Sequence, residues 1–171
     1  MNQLPSAANT ESHAIKEFTV LRIRALLDFW LAKILMRNNS PRSFVGSNTS
    51  GLHGKRLAGI QRLRVDEIIG TIRRTDDFDK DFRPLIQHAR DRWVSTRLQL
   101  ETKGWQPIVV HRVGKRYYVA QGHYRVSVAR SVGMKLIEAV VWEHSRCRTP
   151  RGTCVPKQKA LRRRTETFST N

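Results

Sequence analysis

Residues 115–142, K-R-Y-Y-V-A-Q-G-H-Y-R-V-S-V-A-R-S-V-G-M-K-L-I-E-A-V-V-W, decide the fold. They read as strand, tight turn, helix and strand. Residues 116–120 are aromatic and β-branched, the composition of a short strand. Gln121-Gly122 breaks that strand, and glycine permits a backbone geometry or close approach that a side chain forbids. Across 124–132, Val126, Ala129 and Arg130 fall at helical spacing, and Gly133 supplies the stop. Residues 137–142 return to strand. A glycine turn that feeds a helix presents backbone N–H groups and the positive end of the helix dipole. That geometry favours a bound phosphate. Arg125, in the first helical turn, adds a charged fork of donors suited to the same anion.

Upstream, L-R-V-D-E-I at 63–68, F-D at 78–79 and G-W-Q-P-I-V-V-H-R-V-G-K-R-Y-Y-V at 104–119 precede G-H-Y-R-V-S-V-A-R at 122–130. In that order they resemble the ParB N-terminal/sulfiredoxin-like superfamily, and the resemblance covers residues 62–143. It implies an α+β fold, a small mixed sheet flanked by helices, with a phosphate-binding turn made by Gln121, Gly122, His123, Tyr124 and Arg125. It also implies that the loop carrying Arg73 or Arg74 faces the phosphates, and that the Gln106-Pro107 pair opens the strand after it. The superfamily spans nucleotide-switched DNA partition proteins, sulfinic-acid reductases and free-serine kinases, so the fold does not by itself assign the chemistry.

The motif's own letters narrow that range. Sulfiredoxins place a catalytic cysteine at the position of His123, which disfavours sulfinic-acid reduction here. The serine-kinase branch resembles D-G-H-H-R where this chain reads Q-G-H-Y-R. Gln121 cannot ionise to bind a metal or act as a base, and Tyr124 replaces a readily titrating imidazole. Both departures weaken phosphoryl transfer and leave phosphate binding intact. His123 reads equally as a ligand contact and as a turn residue bonded to the backbone.

Composition sets the charge of the partners the chain attracts. Lys and Arg number 32 against 14 Asp and Glu, for +18 over 171 residues. The excess is +5 over 1–56, +6 over 57–143 and +7 over 144–171. Such a balance attracts polyanions. Lys157, Lys159, Arg162, Arg163 and Arg164 form the densest run, in a stretch with little to bury, and read as a disordered basic tail that associates with nucleic acid. No recognition helix is visible after residue 143, so DNA binding is expected to be phosphate-driven and non-specific. Cys147 and Cys154 do not make a disulfide framework, and no secretory signal is evident, which points to a cytoplasmic protein.

The rest of the chain divides into a disordered 1–14, an amphipathic helix over 15–37, a flexible linker over 38–59, the ParB-like domain over 60–143 and the tail over 144–171. Arg22, Arg24, Asp28 and Lys33 interrupt the helix, so it offers no uncharged span of the roughly 18 residues a membrane crossing needs. It is expected to pack on the core or to mediate a homodimer. Residues 60–65 read as a first strand followed by a turn capped by Asp66, and residues 81–103 as one long amphipathic helix stopped by Gly104. Between them G-T-I-R-R-T-D-D-F-D-K-D-F-R-P, residues 70–84, places Arg73 and Arg74 beside four aspartates. Asp77 and Asp79 are the candidates for a divalent metal held with a nucleotide, and with His123 the candidates for catalysis. Asp79 or Asp81 as a helix N-cap is the plain alternative.

Three functions stay open on the sequence: a module binding CTP or ATP with Mg²⁺ and associating with nucleic acid, a metal-dependent phosphoryl-transfer enzyme or nuclease, and an interaction module with a vestigial pocket.

Overall fold

The computed structural model describes residues 7–44, 52–73 and 75–146. The order is α1 (Ala7–Ile34), β1 (Arg42–Ser43), β2 (Leu52–Arg64), β3 (Ile68–Thr71), α2 (Arg90–Thr102), β4 (Ile108–Val113), β5 (Arg116–Gln121), α3 (His123–Ser131) and β6 (Leu136–Arg146). This is an α+β architecture. One six-stranded mixed sheet runs β1-β3-β5-β4-β6-β2. β3 is parallel to β1 and β5, β4 is antiparallel to β5 and parallel to β6, and β2 closes the far edge antiparallel to β6.

α3 lies between the sheet and the other helices because it is apolar on two sides. Val126 and Ala129 join the sheet core with Val65, Ile68, Ile108, Val119 and Val141. Val128 faces the opposite way, into a cluster with Phe18 of α1 and Trp93 of α2. The Phe18 and Trp93 rings meet at 5.8 Å, and the buried Trp93 indole donates to Ser127 Oγ at 3.0 Å. Arg130 pins the far end of α3 by donating through Nη2 to the Ile68 carbonyl at 2.6 Å.

Several boundaries differ from the sequence reading. The first helix begins at Ala7, so residues 7–14 are helical rather than disordered; Ala14 and Phe18 are buried, and tertiary packing carries the helix back toward the N-terminus. The expected linker contains β1 and the first part of β2. Gly54 and Gly59, which read as loop residues, hold φ of 77° and 88° beside the two register shifts of β2. They are bulges in an edge strand. β6 likewise continues to Arg146.

The helix expected over 81–103 is interrupted. Phe82 is fully buried at φ 60°, Pro84 bridges back to Phe78, and the α-helix starts only at Arg90 after a short 3₁₀ turn over Gln87–Ala89. Asp66 does not cap the turn over Val65–Glu67. It pairs instead with Arg64 through both carboxylate oxygens, at 3.1 and 2.6 Å. The β4–β5 hairpin turns at Gly114 as read, with φ 64°. No helix of the described residues is long and apolar enough to cross a membrane.

Candidate functional site

The sheet's topology brings three chain segments to one end. β3 and β5 are parallel and in register through Thr71 and Val119, so the loops leaving them, at Ile72-Arg73 and Gly122, emerge side by side. β4 runs the other way, with Val109 opposite Gln121, so Gln106 and Pro107 approach at the same end. The carboxyl ends of parallel strands are where open α/β sheets bind ligands.

Gly122 is demanded twice over. It holds φ 98° at the N-cap of α3, in the left-handed region. A Cβ there would lie 2.6 Å from Ile108 Cγ2. The turn therefore lies tight against β4, and the Val126 N–H closes the first helical turn on the Gly122 carbonyl at 3.0 Å.

The residues after Gly122 diverge. His123 is buried and faces β3, its Nε2 lying 2.6 Å from Thr71 Oγ1. The Thr71 hydroxyl also meets the Arg73 carbonyl, so β3, the loop after it and α3 converge on one side chain. Phe78 stacks on the His123 ring at 6.1 Å and 18° and meets Tyr124 edge-on at 5.4 Å. The Arg73 side chain is exposed, and its backbone N–H donates to Thr71 Oγ1 at 3.2 Å.

Arg125, two residues beyond His123, points away from it, since neighbours two apart do not share a helix face. Its Nη1 donates to the carbonyls of Gln106 at 2.9 Å and Pro107 at 3.3 Å. Its other donors engage none of the described residues. Arg125 also lines a groove of about 940 Å³ between α1, α2 and the strand-opening segment. Arg90, Lys103, Trp105 and Gln106 share that wall, with Glu11 and Asp91 as its acids. Its size suits a drug- or nucleotide-sized ligand.

The five motif residues thus divide into two environments. Gly122 and His123 sit with Arg73 at the sheet end, and Arg125 sits in the groove. Gln121 is the exposed last residue of β5. Arg74, Lys157, Lys159, Arg162, Arg163 and Arg164 lie outside the described residues.

The aspartate loop has its own internal order. Asp79 is fully buried. Its Oδ1 accepts the backbone N–H of Asp81 at 3.0 Å and of Arg83 at 2.8 Å, and its Oδ2 accepts Arg83 Nε at 2.6 Å. Arg83 extends the bridge to Asp28 of α1 at 2.6 Å. A metal at Asp79 would have to displace Arg83. The Asp77 carbonyl accepts the Leu85 N–H at 3.0 Å, closing the same loop. Among the described residues no group of three or more His, Cys, Asp or Glu is placed to hold a metal.

Thr71, Phe78, Arg83, Arg90 and Lys103 are the contributors that sequence reasoning missed. Phe78 reads in sequence only as a letter of the F-D motif at 78–79, and Arg83 as part of the helix expected over 81–103. Thr71 carries no local signal, because its role arises only when β3 and α3 meet.

A second polar cluster lies on the other face of the sheet. His144 Nε2 and His111 Nδ1 are 2.8 Å apart, and Phe44 packs against both rings, at 5.2 and 5.6 Å. Burial, then the neighbouring His144 and Lys55, lowers the His111 imidazole to about 4. Burial, then Lys55, lowers His144 as well.

No protein-family model matches the chain, and no curated protein matches it. Solved structures similar in fold include sulfiredoxin from Arabidopsis thaliana, at 22% identity and TM-score 0.37, over 48% of this chain and 82% of that one. A Pnob8-like ParB-N domain is 12% identical at TM-score 0.38, over 55% of this chain and 33% of that one. A C-terminally truncated chromosome-partitioning protein ParB from Caulobacter crescentus, complexed with CTP-γ-S, is 20% identical at TM-score 0.35, over 49% and 44%. The chain therefore spans less than half of either ParB structure.

Proposed function

We propose that this protein binds a nucleoside triphosphate, CTP or ATP with Mg²⁺, at the turn 121–125 and the groove beside it, and associates electrostatically with nucleic acid. The observation that carries the reading is the placement of Arg125. It stands in the first turn of α3, immediately after a glycine that only glycine can be, and its head lies over Gln106 and Pro107 with donors to spare. Arg125, Arg90 and Lys103 supply positive charge around one nucleotide-sized groove. Trp105 offers a flat apolar surface in the same wall. Mg²⁺ would arrive on the phosphates and needs only one or two carboxylates from the protein. Asp91 and Glu11 line the groove, whereas Asp77 and Asp79 do not.

Titration calorimetry of CTP and ATP with Mg²⁺ tests the reading. Saturable heat with the intact protein, lost in Arg125→Ala, is the expected outcome. Absence of heat with both nucleotides on the intact protein rejects it. Product analysis of the same mixtures decides between a binding module and a turnover enzyme.

A further inference from the structure

The first helix has two apolar faces, and only one has a partner within the chain. Ala14, Phe18 and Ala25 are buried against the body, and Arg22 and Asp28 fasten that side to Leu85 and Arg83. About half a turn away around the helix, Val20, Ile23, Leu27, Trp30 and Ile34 form a second stripe. These side chains are 47–76% exposed. Their spacing is three, four, three and four residues, the heptad repeat of a coiled-coil seam, with Val20, Leu27 and Ile34 at a and Ile23 and Trp30 at d. A stripe of that period is narrower than the face a helix turns toward a globular core. Leu31, 54% exposed, and the half-buried Leu26 flank it at e and g.

We propose that this stripe pairs with the same stripe of a second copy of the chain, as a short parallel two-helix seam. Charge across the seam favours a second copy in that orientation. In parallel register the facing g and e positions are Thr19 with Arg24 and Leu26 with Leu31. No like charges meet, and the leucine pair widens the apolar contact. Asp28 is turned to the other side, where Arg83 holds it at 2.6 Å. Two of the three a positions, Val20 and Ile34, are β-branched, the type favoured there in parallel pairs. The long-range charge opposes pairing, since each copy carries +18. Salt screens that repulsion and leaves the apolar seam intact. Association is therefore strengthened by salt, the opposite of what salt does to contacts with polyanions.

Sedimentation equilibrium of the full chain at about 0.1 M and about 1 M salt, where the screening length falls from roughly 10 to 3 Å, reads this directly. The expected result is a monomer–dimer equilibrium that tightens at high salt. Leu27→Glu raises the dissociation constant by about tenfold or more, as loss of a central buried anchor does. Leu136→Glu, at another exposed apolar site on β6, leaves it unchanged. Because a seam variant could unfold the helix, orientation is tested separately by crosslinking. In a Cys147→Ser/Cys154→Ser background, Val20→Cys and Ile34→Cys each crosslink to their own copy in a parallel pair, whereas an antiparallel pair permits at most one of them. A monomer at both salts, a trimer or larger assembly, crosslinking at neither position, or a monomer that floats with anionic vesicles would each overturn the proposal. None of these readouts depends on nucleotide, so the phosphate site and the seam stand or fall separately.

Discussion

At the scale of single residues, Gly122 ties the site to the fold. A side chain there meets a disfavoured φ of 98° and Ile108 Cγ2 at 2.6 Å. Gly122→Ala should therefore cost about 3 kcal/mol, combining backbone strain with overpacking. A drop in the urea midpoint without loss of cooperativity would show it. The histidine pair on the far face gives a pH signature. An unfolded His111 titrates near 6.5, while in the folded protein it is held to about 4, chiefly by burial. Between those values the unfolded chain binds a proton that the folded one refuses, so stability is full above 6.5, falls as pH drops through the window and levels off below 4. His144 is lowered too and adds to the same trend. Urea midpoints at neutral pH and near pH 5 should differ more for the wild type than for His111→Gln.

At the scale of elements, the loop from Phe78 to Pro84 decides where α2 can begin. Asp79 gathers two backbone N–H groups and the Arg83 guanidinium, and Phe82 is buried at positive φ between them. The apolar stripe at Phe82, Leu85, Ile86 and Ala89 looks helical in sequence, yet Pro84 and the loop's own bonding to Asp79 override it. Asp79→Ala should cost about 3 kcal/mol, because Arg83 would lose its buried partner and the Asp81 and Arg83 N–H groups their acceptor. Asp81→Ala, whose carboxylate is only 3.5 Å from Arg83 and half exposed, should change the midpoint little. The contrast shows what the sequence could and could not disclose. The hairpin at Gly114 and the strand–turn–helix around Gly122 were legible because their glycines and local periods agree with the final structure. β2 was not, because Gly54 and Gly59 signal a loop unless the partner strand that accommodates their bulges is known. The site was half legible for a related reason. Adjacent letters of a motif suggest one pocket, while the helical turn sends His123 toward Thr71 and Arg125 toward Gln106.

At the scale of the whole molecule, charge is spread so that no single segment accounts for it: +5, +6 and +7 over residues 1–56, 57–143 and 144–171. Within the described body many of the basic side chains are already engaged: Arg83 with Asp79 and Asp28, Arg97 with Glu17 and Glu101, and Arg112 with Glu143. Such pairs contribute little net attraction to a distant phosphate. Residues 144–171 carry eight basic side chains against one acid, so they hold the largest share of charge without internal compensation. If nucleic acid is bound through that excess, the logarithm of the binding constant for a duplex falls linearly with the logarithm of salt concentration, by about 0.9 for each phosphate neutralised. Replacing Arg162, Arg163 and Arg164 by Gln should then lower the slope by up to about 2.7, and by the same amount for two duplexes of unrelated sequence. A shallower slope for one sequence alone would mean that base edges are being read. An unchanged slope would move the contact to the basic side chains of the body, where Arg73, exposed at the sheet end, is the first to replace.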